Sequence, residues 1–183
     1  MNGSDNGPLR GVKATTREGG VRVPFLVRYP GKLPAGKVYD QPVIQLDVTP
    51  TVLAAAGVTA ADAKFDGVNL LPYLAGDKAD APHPVLYWRF GGQIAVRAGD
   101  WKLVKAVDGG GRAGGGGAAA RRQKASVEGA QLFNLKDDVG EQTDLAGKNP
   151  EKVKELAGLW EKWNAELAPP AWGPPARPKA NAN

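Results

Sequence analysis

The sequence contains no cysteine and a single histidine among its 183 residues. The lack of cysteine excludes disulfide scaffolds, cysteine-ligated zinc sites and a thiol nucleophile. A single histidine excludes metal sites built from several histidines. No apolar run approaches the roughly 20 residues that a bilayer-spanning helix needs, so no membrane span is predicted. Residues 1–5 show neither the basic nor the apolar region of a signal peptide.

The net charge of +5 is concentrated in two segments. Residues 109–127 hold seven glycines and four basic side chains without an acid, and residues 168–183 add +2, so the rest of the chain carries −1. Because the first segment has little apolar surface to bury, it is predicted to be a flexible loop. The Pro/Ala-rich tail is predicted to be disordered. No aromatic residues alternate with the basic ones, as stacking on single strands requires, so nucleic acid is not a predicted partner.

The first half of the chain contains three predicted elements. Val21–Tyr29 is a β-branched and aromatic run that ends at a Pro-Gly turn, which predicts a strand. Ile44–Ala56 predicts a helix, for which Asp47 or Thr49 is a suitable cap. Leu70–Leu74 predicts a short helical turn that ends before a glycine.

The apolar period changes to two in the second half and then returns to a helical spacing. The alternation predicts an antiparallel meander of four strands, followed by a helix with one apolar stripe. The predicted fold class is therefore α/β, or α+β within this chain, with a four-stranded antiparallel sheet packed by a C-terminal helix. The predicted strands are Val85–Phe90, Gln93–Arg97, Trp101–Val107 and Gln131–Leu135, and the helix opens at Asn149-Pro150 with its stripe on Val153, Leu156, Trp160, Trp163 and Leu167.

The residues best suited to chemistry lie near the start of the chain. Asp5 and Asn6 are adjacent oxygen donors of the kind that Ca²⁺ or Mg²⁺ prefers, although two donors do not complete a site. Lys13 is a point cation that could hold an anion or stabilise a leaving oxygen. The alternatives are an Asx-turn at Asp5-Asn6 and a solvated Lys13.

These residues belong to a series of motifs that resembles the sulfatases, in the alkaline-phosphatase-like superfamily. The first motif, from Ser4 to Pro24, reads S-D-N-G-x-x-x-G-x-K-x-x-x-x-E-G-G-x-R-V-P. Asp47–Leu53 is similar to the family's D-[LIVM]-x-P-T-[LIV]-L helix. Ala95–Leu103 is similar to A-[VI]-R-x-G-x-[WY]-K-[LY], and Leu132–Glu141 to L-[YF]-[DN]-L-x-x-D-P-x-E. The ordered motifs cover roughly residues 4–167.

The resemblance implies a hydrolase of sulfate esters with a formylglycine nucleophile and a Ca²⁺ ion that polarises the sulfate. It places Asp5 and Asn6 on a metal-ligand pair and Lys13 on the catalytic lysine that contacts the sulfate. The implied partner is an aryl or carbohydrate sulfate. Intact members of the family are usually periplasmic or extracellular.

Other residues at motif positions are expected to have structural roles. His83 lies between two prolines, outside any histidine motif of the family, and is predicted to be a loop residue. The residues assigned to turns, caps and ion pairs are Glu18, Arg22, Asp47, Asp100 and Lys102.

The sequence departs from the family at the nucleophile, because it contains no C/S-x-P-x-R motif. We therefore expect the C-terminal portion of a sulfatase, arising from a truncated gene, a mis-called start or a split product, and inactive alone. The expected divisions are an incomplete catalytic domain at 1–76, a sheet subdomain at 77–167 and a tail at 168–183. Apolar faces of the first part would be exposed, and residues 84–167 would be the most self-sufficient unit.

Two alternatives to this interpretation stay open. The first is a non-catalytic module that binds a sulfated or acidic glycan through the basic loop at 109–127. The second is a phosphodiesterase or phosphatase of the same superfamily, because residues that select the ester lie largely outside this sequence.

Overall fold

The computed structural model describes residues 5–106 and 124–168. The predicted loop at 109–127 lies mostly outside the described residues, as does nearly all of the predicted tail at 168–183. The helices are α1 (Glu18–Val21), α2 (Val48–Ala55), α3 (Leu71–Ala75) and α4 (Pro150–Glu166), and the strands are β1 (Leu86–Phe90), β2 (Gln93–Ala98), β3 (Trp101–Lys105) and β4 (Gln131–Asn134).

The four strands form one sheet in the order β1-β2-β3-β4, which confirms the predicted meander. The β2–β3 and β3–β4 ladders are antiparallel, with Val96 opposite Leu103 and Leu103 opposite Leu132. Gly91 and Gly99 lie in the two tight connections at φ +60° and +56°. Glycine suits both positions because side chains disfavour this backbone conformation.

Helix α4 packs on β2 and β3 through its predicted apolar stripe. Leu156 and Trp160 are buried, and the Trp163 ring stacks on the Tyr87 ring with centroids 5.0 Å apart. Asn149 precedes the first turn of α4, but its side chain does not cap the helix. Asn149 instead donates from Nδ2 to the Leu145 carbonyl at 3.1 Å, because the preceding 3-10 turn brings that carbonyl within reach.

The chain divides into two compact units, Met1–Val23 with Tyr87–Asn183, and Pro24–Leu86. The first contains the sheet and α4, and the second contains α2 and α3. The predicted divisions at 1–76, 77–167 and 168–183 stay a prediction.

The Pro24–Leu86 unit is organised around a buried carboxylate, that of Asp47. Its two oxygens accept hydrogen bonds from the backbone N–H groups of Ile44 and Val68, at 2.9 and 2.8 Å. His83 Nε2 lies 2.8 Å from Asp47 Oδ1. Asp47 occupies the N-cap position of α2, as predicted, but its carboxylate caps the preceding 3-10 turn at Gln45–Asp47 by accepting the Ile44 N–H, so α2 itself has no side-chain cap.

The predicted strand at Val21–Tyr29 is wrong. Helix α1 ends at Val21, and residues 22–29 form no strand within the described part of the chain. A strand requires a neighbouring backbone for its hydrogen bonds, and no described strand pairs with this segment. The expected exposure of apolar side chains is observed, since Val23 is 73% and Leu26 is 93% exposed.

Candidate functional site

A turn at the start of the described chain contains the two candidate metal ligands. Asp5 Oδ1 accepts a hydrogen bond from the Gly7 N–H at 2.8 Å, which is the Asx-turn left open by the sequence. Gly7 has a φ of +57°, which glycine adopts without strain. The Leu9 N–H closes the turn on the Asn6 carbonyl at 3.2 Å.

The Asn6 side chain is held by two backbone carbonyls. Its Nδ2 donates to the Gly11 oxygen at 2.8 Å and to the Gly19 oxygen at 3.1 Å. Both amide hydrogens are therefore committed to the protein, and the orientation of the carboxamide is fixed by its neighbours. Within the described residues its Oδ1 accepts no hydrogen bond, so this oxygen is the atom left for a ligand.

Two glycines bring the loop that precedes α1, at residues 5–17, against that helix. A Cβ at Gly19 would lie 2.3 Å from the Gly11 oxygen, and one at Gly20 would lie 2.2 Å from the Thr15 oxygen. The Gly19 N–H donates to the Arg10 oxygen at 2.7 Å. This close approach explains why Glu18 is followed by two glycines, since any side chain would separate the loop from the helix.

Beneath this contact lies a buried cluster of three charged groups. Lys102 Nζ donates to Glu18 Oε1 at 2.7 Å and lies 3.0 Å from Glu141 Oε1. The Lys102 and Glu141 side chains are fully buried, and that of Glu18 is 3% exposed. The expected ion-pair roles of Glu18 and Lys102 are observed. Glu141 completes the cluster; it lies 39 residues from Lys102, and no sequence pattern assigned it a partner.

The segment before α1 lies on the sheet face that carries Lys102. The Arg17 guanidinium lies 5.4 Å from the centroid of the Phe133 ring and donates to Gln131 Oε1 at 2.5 Å. Thr16 Oγ1 donates to the Ile94 carbonyl at 3.1 Å. These contacts attach the segment before α1 to two strands of the sheet, β2 and β4.

Arginines add positive charge around the cluster. Burial lowers the pKa of the Arg97 guanidinium, and the negative charge of Glu18 opposes this shift. Arg97 lies opposite Lys102 in the β2–β3 register. Arg22 lies 4.0 Å from the second oxygen of Glu18, which matches its expected ion-pair role. The Asp100 carbonyl accepts the Leu135 N–H at 2.7 Å at the turn after β2.

Lys13 lies on the same loop and is exposed. No contact joins it to Asp5 or Asn6 among the described residues, and the next residue, Ala14, has a φ of +71°. A search of residues 5–106 and 124–168 finds no group of three or more histidine, cysteine, aspartate or glutamate side chains suited to a metal. Asp5 and Asn6 thus offer two oxygen donors, with Lys13 seven positions beyond Asn6.

Solved structures share this fold. The crystal structure of Ps i-CgsB in complex with k-i-k-neocarrahexaose matches this chain with a TM-score of 0.71 and 31% sequence identity. The matched region covers 93% of this chain and 35% of the Ps i-CgsB chain. A structure described as a Bacteroides thetaiotaomicron protein of glycosaminoglycan metabolism, BT33336S-sulf, is 24% identical with a TM-score of 0.62 and supports the fold alone.

Proteins with related sequences are sulfatases. Mouse steryl-sulfatase is 44% identical over 86 residues, which are 46% of this chain and 14% of that protein. Human N-acetylgalactosamine-6-sulfatase is 40% identical over 101 residues, which are 55% of this chain and 19% of that protein. The chain therefore spans less than one fifth of these curated relatives.

The fold and the relatives together define the class, which is the C-terminal portion of a sulfatase. The profile of the family described as N-sulphoglucosamine sulphohydrolase, C-terminal, matches residues 13–106. The chain belongs to this family. The matched range includes Lys13, Glu18 and Lys102, whereas Asp5 and Asn6 precede it. None of the helices in the described ranges is long and apolar enough to cross a membrane.

Proposed function

We propose that this chain supplies the C-terminal portion of a sulfuric ester hydrolase, including one metal-ligand pair and the lysine that contacts the sulfate. The observation that carries the proposal is the fixed carboxamide of Asn6, whose nitrogen donates to the Gly11 and Gly19 carbonyls and whose oxygen accepts no hydrogen bond among the described residues. Membership of a sulfatase C-terminal family supports the class of reaction.

Asp5 and Asn6 fit a Ca²⁺ ion by the chemistry of their donors. The ion prefers carboxylate and amide oxygens, and it takes six to eight of them, so this pair provides part of the set. When bound, the ion polarises an oxygen of the sulfate ester. Asp5 Oδ1 accepts the Gly7 N–H, which leaves Oδ2 for the ion, and Asn6 would contribute its Oδ1.

Lys13 is proposed to bind the sulfate group and the leaving oxygen. Its side chain is exposed, so its cationic head can approach an anionic ester. A positive charge near the leaving oxygen stabilises the negative charge that develops there in the transition state. The substrate class is an aryl or carbohydrate sulfate, and names of relatives such as steryl-sulfatase accord with sulfate-ester hydrolysis.

The chain alone is proposed to be inactive, because its sequence contains no C/S-x-P-x-R motif to provide the nucleophile. The first test is an assay of the isolated chain with 4-nitrophenyl sulfate and Ca²⁺. Turnover clearly above the background rate would contradict this part of the proposal.

In the second test, the genomic DNA upstream of Met1 is searched for a segment that encodes C/S-x-P-x-R. That segment is then joined to the chain in one recombinant protein. The joined protein is expected to hydrolyse the aryl sulfate, and Lys13→Ala is expected to abolish most of that activity. Lys32→Ala is the matched control, because Lys32 is also exposed but lies outside the loop. Equal activity of the two variants would contradict the role of Lys13.

The glycan-binding alternative rests on the +4 charge of residues 109–127. It predicts that deleting this segment abolishes retention on a heparin column at low salt. Unchanged retention argues against it. The phosphatase alternative has less support, because the relatives described above are sulfatases.

A further inference from the structure

We propose that the buried cluster of Glu18, Lys102 and Glu141 positions the carboxamide of Asn6. This proposal rests on the proposed function in one respect, which is that Asn6 is taken to be a metal ligand. The structure contributes a continuous set of contacts that begins at Lys102 on β3 and ends at the Asn6 side chain.

The first link is the ammonium group of Lys102, which lies between two carboxylates. It is 2.7 Å from Glu18 Oε1 and 3.0 Å from Glu141 Oε1. Buried carboxylates repel each other and need a compensating charge. Lys102 is thus the group that allows Glu18 and Glu141 to face the same buried space.

The second link passes from Glu18 to one side of the loop. The Glu18 N–H donates to Glu141 Oε2 at 2.9 Å, so the start of α1 is fixed by both its side chain and its backbone. The next residue is Gly19, whose carbonyl accepts from Asn6 Nδ2 and whose N–H donates to the Arg10 carbonyl. Movement of Glu18 therefore displaces the acceptor that orients Asn6.

The third link passes from Glu141 to the Arg10 side chain of the loop. The Glu141 carbonyl accepts a hydrogen bond from Arg10 Nη1 at 2.9 Å. Glu141 has a φ of +53°, an uncommon conformation for a side-chain-bearing residue, which surrounding contacts must hold in place. The neighbouring Gly140 lies against the Pro8 carbonyl, where a Cβ would approach to 2.9 Å.

Attachment of the segment to the sheet does not depend on this cluster alone. Arg17 contacts Phe133 and Gln131, and Thr16 bonds to the backbone of β2. A variant that loses Lys102 should therefore keep the segment on the sheet while the loop loses its fixed geometry. This separation distinguishes positioning of Asn6 from a general contribution to folding.

The test measures hydrogen exchange of the Asn6 side-chain amide by NMR in the full chain, with Asn6→Asp used to assign the signal. We expect Lys102→Met to raise the exchange rate of the Asn6 Nδ2 protons about tenfold, with the amides of β2 and β3 still protected. Lys105→Met is the matched control, because Lys105 lies on the same strand outside the cluster, and it should leave Asn6 unchanged.

A second pair of variants tests the same link from Glu18. Glu18→Ala should raise the exchange of Asn6 as Lys102→Met does, whereas Glu18→Gln keeps an oxygen for Lys102 and should restore most of the protection. Unchanged Asn6 exchange in folded Lys102→Met or Glu18→Ala overturns the proposal. Loss of the whole sheet in both variants also overturns it, because the cluster would then serve folding in general. Absence of sulfatase activity in the joined protein would refute the proposed function without altering this measurement.

Discussion

His83 and Asp47 form a pair across 36 positions of the sequence, with His83 Nε2 at 2.8 and 2.9 Å from the two oxygens of the Asp47 carboxylate. The same carboxylate accepts the N–H groups of Ile44 and Val68. One buried side chain thus joins the start of α2 to two loops of the Pro24–Leu86 unit. Sequence reasoning placed His83 in a loop, which is correct, but gave it no partner.

Removal of the Asp47 carboxylate should destabilise this unit. Asp47→Ala leaves the partly buried N–H groups of Ile44 and Val68 without their acceptor and removes the partner of His83, and we expect the free energy of unfolding to fall by about 3 kcal/mol. Asp47→Asn keeps one acceptor oxygen and should cost less. Urea denaturation followed by circular dichroism measures both. Equal stability of wild type and Asp47→Ala would show that the carboxylate contributes nothing.

A side chain at Gly19 should disrupt the candidate site. Its Cβ would lie 2.3 Å from the Gly11 oxygen, so we expect Gly19→Ala to reduce stability by about 1–3 kcal/mol, as overpacking typically does. The matched control is Gly158→Ala in α4, where no atom lies within 4 Å of the added Cβ. This control should raise stability by about 0.5–1 kcal/mol, because alanine favours a helix. Thermal denaturation shows whether each variant raises or lowers stability. A stabilising effect of Gly19→Ala would be inconsistent with the close contact.

The two tryptophans of α4, Trp160 and Trp163, should differ in their contribution to stability. Trp160 is 2% exposed and donates from its ring nitrogen to the Trp88 carbonyl at 3.2 Å. Trp160→Ala is expected to cost about 3–5 kcal/mol. Trp163 is partly exposed and stacks on Tyr87, so Trp163→Ala should cost about 1 kcal/mol. Guanidinium denaturation would contradict this order if Trp163→Ala were the more damaging variant.

Backbone amides should exchange at different rates in the two units. Residues Ile94–Val96 and Leu103–Val104 are fully buried, whereas α2 has no buried residue. We expect the amides of β2 and β3 to be the best protected and those of α2 to exchange faster by at least about tenfold. Hydrogen exchange with mass spectrometry measures both. Slower exchange in α2 than in β3 would refute the view that residues 84–167 contain the most self-sufficient part.

The strands and α4 could be predicted because their signals are local. The composition of Trp101–Lys105 and the helical spacing of Leu156 and Trp160 predict a strand and a helix without reference to distant parts of the chain. Val21–Tyr29 has the composition of a strand, yet composition does not supply a partner. No strand in the described part of the chain pairs with this segment.

The candidate ligands could be found from their motif, but their support could not. Asp5, Asn6 and Lys13 are close in sequence, and the resemblance to sulfatases marks all three. The cluster proposed to position Asn6 comprises Glu18, Lys102 and Glu141, which are 39 to 123 residues apart. Long-range pairing of buried charges follows from the folded arrangement of the sheet, and no spacing within one segment encodes it.

The position of Glu141 has a consequence for the order of events during synthesis. The loop near residue 10 depends on the Glu141 carbonyl, and α1 depends on its carboxylate. During translation the ribosome must therefore add more than 120 further residues before these early segments acquire their final partners. Until then the loop lacks the contacts that determine its conformation, so the candidate site folds late during synthesis.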